Sequence, residues 1–202
     1  MKSSHDEILP ILGTAMGGGF YAGRIQIDGK PFALITAPKA DEVAPSIWIA
    51  RYKDVPGARS YCDGLANTKA MAEAGSKLAK SILDLRIGGF DDWYLPALDE
   101  LELCYRNLKP TAGKNSCWSR SGINLNSMPP GQPYTPESPA RTLAEAFREG
   151  ASEAFELDAY WSSTKHASAS DSAWSQYFTN GDQDGWRTDN KLRARPVRRL
   201  PL

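Results

Sequence analysis

The alternation of apolar and polar positions places two strand-like runs near the start of the chain, Phe20 to Ile27 and Pro31 to Ala37, on either side of Asp28-Gly29-Lys30. An Asp-Gly pair between apolar runs predicts a tight hairpin, because both residues tolerate the positive φ that such a turn demands. Ser46 to Ala50 reads as a third strand. From Ala58 to Leu85 the spacing turns helical: Tyr61, Leu65, Ala72, Leu78, Ile82 and Leu85 share a stripe that Asn67 and Gly75 interrupt, which predicts one or two amphipathic helices. Gly88-Gly89 closes that region and Asp92 to Leu95 reads as a short strand. Pro96 then opens a helix that carries Leu98, Leu101, Leu103, Tyr105 and Leu108 and stops before Pro110.

Between Thr111 and Leu157 the periodicity fades. The stretch Ser127 to Pro136 holds Pro129, Pro130, Pro133 and Pro136, which remove backbone donors and preclude ordinary helix or ladder pairing, so a surface excursion is expected. Inside it, Leu143, Phe147, Ala151 and Phe155 fall four apart and predict a helix over 141–155. The segment from Tyr160 to the end of the chain supplies three short strand-like runs, Tyr160 to Thr164, Ala173 to Phe178 and Arg193 to Arg199, around loops of Ser, Asn, Asp, Gln, Tyr and Trp. Period two sets Ser175, Tyr177 and Thr179 opposite Trp174, Gln176 and Phe178, and the latter face is assigned to the core. Trp93, Leu95, Trp161, Trp174 and Phe178 are expected to converge there.

With 202 residues, 41% of them hydrophobic, and six tryptophans, the chain can bury the core of one domain. Its 24 basic and 24 acidic residues cancel, so no overall field draws it to nucleic acid or to an anionic membrane. The basic cluster Arg193, Arg195, Arg198 and Arg199 suits a terminal strand with a charged outer face better than a phosphate groove. The start of the chain has no basic segment leading into an apolar core, and no window is long and apolar enough to span a bilayer, so cytosolic synthesis without membrane insertion is expected. Cys62, Cys104 and Cys117 have neither metal-ligand spacing nor the density of a disulfide scaffold and read as free thiols. Gly17-Gly18-Gly19 lacks the Lys-Ser/Thr pair of a phosphate loop and precedes a strand. Neither His5 nor His166 has neighbours in sequence that would make a metal site or a triad.

Asn180-Gly181-Asp182-Gln183-Asp184-Gly185 has side-chain oxygens at alternate positions and a glycine sixth, as in a calcium loop. The twelfth position is Lys191, where a bidentate Glu is needed, so Asn-Gly and Asp-Gly turn chemistry is preferred, with calcium as the lesser alternative and no other cofactor expected.

Gly88-Gly89-Phe90-Asp91-Asp92-Trp93-Tyr94-Leu95-Pro96-Ala97-Leu98-Asp99-Glu100-Leu101 resembles the G-x-x-D-W-R-L-P-T-x-x-E-L signature of the Lcl C-terminal-type domain. That family also carries a later Y-W-S-S-T, here Tyr160 to Thr164, and a closing R-x-V-R, here Arg195 to Arg198, in the same order. Tyr94 stands where the family has Arg. The resemblance implies an α+β, C-type-lectin-like fold: two main helices packed on a small twisted antiparallel sheet, with a long loop and helix insertion at 110–157. It implies a recognition domain over 46–202; the segment over 1–45, with its hairpin, lies outside the matched motifs and is expected to be either an attachment or oligomerisation segment or extra strands.

Such domains are similar to the tips of adhesins and phage tail fibres. The implied function is non-enzymatic binding of a cell-surface receptor, protein or glycan, by a protein of the virion or alternatively of a cell surface, alongside other virion or tail proteins; trimerisation follows only by analogy with tail fibres. The alternatives are an enzyme of the formylglycine-generating type, against which the lack of any Cys after Cys117 counts, and a purely structural virion subunit. Tyr and Trp offer rigid contact area and Ser, Asn and Gly adaptable hydrogen bonding. The expected contact residues are therefore Ser168, Ser170, Asp171, Ser175, Tyr177, Asn180, Asp182, Gln183, Asp184, Trp186, Arg187 and Asp189.

Overall fold

The structure is a computed structural model that describes residues 9–50, 53–118 and 120–202, which leaves His5 outside the described residues. In chain order the elements are β1 (Ala15–Met16), β2 (Gly19–Ile27), β3 (Lys30–Thr36), β4 (Val43–Ile47), α1 (Gly64–Glu73), α2 (Lys77–Leu83), α3 (Leu98–Leu108), β5 (Ala159–Lys165), β6 (Ser172–Tyr177), β7 (Gln183–Arg187), β8 (Lys191–Ala194) and β9 (Val197–Pro201). The fold is mixed α+β, with two sheets and three α-helices where two main helices were expected: the glycine at 75 splits the helical stretch after Ala58, taking φ of +99° between α1 and α2.

The Asp28-Gly29 turn forms as expected, with φ of 50° and 73°, and joins β2 to β3 in a four-stranded sheet of order β1-β2-β3-β9. A five-stranded sheet follows the order β4-β8-β5-β6-β7. Pro196 lies between β8 and β9, so the closing segment passes from one sheet to the other. The residue 45 boundary falls inside β4, and the hairpin contributes Ala22, Ile25 and Leu34 to the same core as α3.

α3 lies between the sheets. Its Leu101, Cys104, Tyr105 and Leu108 pack with Leu34 of the first sheet and with Tyr160, Phe155 and Phe178, where Phe155 and Phe178 stack at 4.0 Å. Alternation turns Trp161 and Ala159 to the other face of β5, where Met71 of α1 and Leu78 and Ile82 of α2 cover them together with Trp48 and Leu95. A third cluster joins Trp93 to Tyr21, Ala33 and Ile35. The tryptophans expected in one core are thus spread over separate clusters. Trp174 belongs to none of them: it is half-buried against His166, with ring centroids 4.7 Å apart.

Four further expectations are corrected. The third strand begins at Val43, and Asp92 to Leu95 makes only a bridge, Tyr94 to Val197. Residues 141–155 form a single 3-10 turn, Glu145–Phe147, instead of a helix, because Gly150 takes φ of +81° and the Thr142 amide donates out to the Lys109 carbonyl. Their four-apart spacing does not mark one buried face, since Phe147 and Phe155 are buried while Leu143 is exposed. The terminal arginines do not form a charged outer face either. Arg195 is buried over the Phe155 ring and donates to Ala37 O and to the Glu153 carbonyl and carboxylate, while Arg198 grips Asp92 through two bonds of 2.6 and 2.9 Å.

The insertion is held by a polar stripe along α3. Asp99, Glu102, Arg106 and Lys109 recur at helical spacing, and all but Arg106 are buried. Asp99 accepts from Arg120 and Asn126, and Glu102 from Asn124, Tyr134 and Arg106. The Lys109 ammonium donates to Gly113 O, Asn115 Oδ1 and Pro139 O.

Candidate functional site

The expected contact residues map onto the β6-β7 hairpin and its flanking loops, and the pairing register separates them. Ser172 lies opposite Arg187 at one end and Gln176 opposite Gln183 at the other. Over the five steps from Ser172 to Tyr177 a strand rises about 3.3 Å each, so the two ends stand roughly 17 Å apart.

At the first end, the β5-β6 loop brings Ser168, Ser170 and Asp171 beside Arg187, the last residue of β7, and Asp189 of the β7-β8 turn. Local bonds brace it. His166 Nδ1 accepts from the Ala169 amide at 3.2 Å, the buried Lys165 ammonium donates to Ser170 O at 2.7 Å, and the Thr188 amide donates to Asp171 O at 2.9 Å. The Trp48 amide donates to Thr188 O, which ties the turn to the core behind it. Burial lowers the pKa of Lys165, so the interior resists its charge and the lysine serves as an internal prop. Ser168, Ser170 and Arg187 remain exposed and Asp171 half-buried; Arg187 meets Asp189 at 3.3 Å.

The opposite end is the turn at 178–182. Asn180 Oδ1 accepts from the Asp182 amide, and Asp182 Oδ1 from the Ser116 hydroxyl at 3.0 Å, so these oxygens shape the turn and tie it to the insertion. Gly181, at φ of +77°, sits against Tyr105 and Tyr134 where any side chain would collide. Asp184 Oδ1 accepts the Gly185 amide. Among the described residues, no three His, Cys, Asp or Glu side chains converge as metal ligands would.

Between the ends, Tyr177, Asp184 and Trp186 occupy the flank facing away from α3, with the Tyr177 and Trp186 rings 6.3 Å apart and both half-buried. Ser175 and Gln183 drop out of the contact set because both are buried: the Ser175 hydroxyl donates to Asp184 O and the Gln183 amide to Gln176 Oε1. On the face toward α3, Trp174 Nε1 and Gln183 Oε1 are buried without a hydrogen-bond partner. Sequence reading missed Trp118, which is prominent on the surface of the insertion two residues beyond Ser116; its signal was an isolated tryptophan in a polar loop.

The Lcl C-terminal domain family model matches residues 40–198, from just before β4 into β9 and including the whole insertion. No curated protein matches the chain.

Proposed function

The chain belongs to the Lcl C-terminal domain family, and on that premise we propose that it is a non-enzymatic recognition module of C-type-lectin-like fold. It attaches to a cell-surface receptor as the tip protein of a phage tail or of a related surface adhesin. Its place is the virion or, alternatively, a cell surface, in company with other virion or tail proteins.

The observation that carries this reading is the pinning of the first loop end, where exposed Ser168, Ser170 and Arg187 project from a backbone fixed by Lys165, His166 and Thr188. A surface ordered before binding loses little entropy on complex formation, which favours recognition over chemistry that needs moving parts. The basic residues most suggestive of a polyanion groove, Arg195 and Arg198, are spent inside the fold.

The test is saturable binding of the purified chain to a panel of bacterial cells and purified lipopolysaccharides, repeated with Arg187→Ala and Asp171→Ala. Binding that both folded variants leave unchanged would sink the assignment of this end. Copper-dependent oxygen consumption with a cysteine peptide would replace the reading by an enzymatic one.

A further inference from the structure

Lys109, at the C-terminus of α3, is 1% exposed, and its ammonium donates to three neutral oxygens: Gly113 O at 2.6 Å, Asn115 Oδ1 at 2.7 Å and Pro139 O at 3.1 Å. These satisfy its hydrogens but not its charge. It makes no ion pair with any described residue, and burial alone, with no carboxylate acting against it, lowers its pKa. The dipole of α3 opposes it with about half a charge at most. Buried ions in folded proteins are as a rule paired, since desolvation is costly without an opposing charge.

Lys109 also lines a surface groove of about 480 Å³ between the segment that follows α3 and residues 136–141. Four residues of the lining are charged, and Lys109, Lys114 and Arg141 outnumber the single acid, Glu137. Lys114 and Arg141 are exposed and form no ion pair with any described residue. On the same two segments the backbone N–H groups of Ala112, Lys114, Ala140 and Arg141 have no acceptor among the described residues. The groove beside Lys39 and Arg193 differs, because there each cation is matched: Lys39 to Glu156, and Arg193 to Glu42 and Asp158.

We propose that the Lys109 groove is a binding site for one small oxyanion, a carboxylate or phosphate group, held between Lys114 and Arg141 over the buried charge of Lys109. The planar fork of Arg141 and the point charge of Lys114 both suit anionic oxygens, and charge-assisted bonds of this kind are the strong ones. Lys109 has no hydrogen to spare, so it acts through its field, which the interior screens far less than water does. The bound anion supplies the counter-charge that Lys109 lacks. The volume suits a small molecule, and the balanced charge of the whole chain provides no track for a long polyanion. The site is independent of the receptor reading: Ser116, beside Asn115, bonds Asp182 at the opposite end of the hairpin from Ser168 and Arg187.

The probes are inorganic phosphate and succinate, titrated into the full chain at neutral pH and followed by amide NMR. At least one should shift the Lys114, Ala140 and Arg141 signals saturably, where sodium chloride at equal ionic strength does not; the tighter of the two identifies phosphate or carboxylate as the preferred group. Lys114→Ala/Arg141→Ala changes exposed side chains only, so it should keep the wild-type near-ultraviolet circular dichroism while raising the Kd roughly tenfold or more. The charge-matched control Lys30→Ala/Lys69→Ala should leave the Kd unchanged, and Glu137→Gln should lower it by removing the one repelling charge. Chloride-like shifts with both probes, a Kd indifferent to Lys114→Ala/Arg141→Ala, an equal loss in the control pair, or weaker binding in folded Glu137→Gln would each overturn the site.

Discussion

Glu100, in the most specific sequence motif of the chain, is fully buried between the N-termini of α1 and α3. Its carboxylate accepts the amides of Ala97 at 2.8 Å and Gly64 at 3.1 Å and the Tyr94 hydroxyl at 2.6 Å. Tyr94 departs from the family pattern by replacing a cation with a neutral donor; the positive charge nearby comes instead from Arg199, over the Tyr94 ring and bonded to Asp63. Desolvation outweighs these bonds and lifts the Glu100 carboxyl from 4.5 to about 7. A folded pKa above the unfolded one means folding favours the protonated acid. That stabilisation is complete below about pH 4.5 and is lost as pH rises through about 7, on the order of 3 kcal/mol in all. Glu100→Gln keeps an acceptor for the two amides and a donor for the Tyr94 oxygen, so urea unfolding of this variant should lack most of the decline in stability that wild type shows between pH 5 and 8. Parallel curves for the two proteins would refute the assignment. Trp93 and Trp161 are each fully buried in separate clusters, and Trp93→Ala or Trp161→Ala should lower stability by roughly 3–5 kcal/mol through the cavity left behind; wild-type-like thermal midpoints would refute the core positions.

α3 shows which parts of an element can be read from sequence. Its Leu and Tyr stripe and its start after Pro96 were legible, because one apolar face at 3.6 periodicity is a local signal. The meaning of the opposite stripe was not, since charged residues at helical spacing look the same whether they face water or an excursion folded back on them. Asp99, Glu102 and Lys109 face the insertion, and a contact twenty or thirty residues away leaves no periodic trace. The missed 3-10 turn at Glu145–Phe147 has a related cause: Phe147 and Phe155 reach one core from separate loops, which imitates a helical face. Lys109→Met should expose the dependence of the insertion on this stripe, because it leaves Gly113 O, Asn115 Oδ1 and Pro139 O without their shared donor at a cost of a few kcal/mol. Limited trypsin digestion should then cut at Arg120 or Arg141 well before the sheets, whereas wild type resists; equal cleavage rates would show that the insertion stands without Lys109.

In the molecule as a whole, the hairpin that carries the candidate contacts has one end committed to the structure and one that projects from it. The 178–182 turn is tied to the insertion through Ser116 and seated on Tyr105, so its polar atoms are used internally. The loop end is fixed from behind, yet keeps the Ser168, Ser170 and Arg187 side chains outward. The sequence marked both ends alike, since turn residues and contact residues have the same composition; only the register and the partner atoms distinguish them. If recognition uses the outward end, the two ends must respond differently to mutation. Arg187→Ala should weaken receptor attachment by about 2 kcal/mol, roughly thirtyfold, because arginine combines contact area with directed donors. Its exposed pairing with Asp189 adds little to stability, so the thermal midpoint should barely move. Asn180→Ala should do the reverse, lowering the midpoint through loss of its bond to the Asp182 amide while attachment measured below that midpoint is unchanged. Attachment assays on cells with both variants, alongside thermal melts, read the two effects separately. Loss of attachment in Asn180→Ala with an unchanged melt, and none in Arg187→Ala, would move the receptor site to the turn.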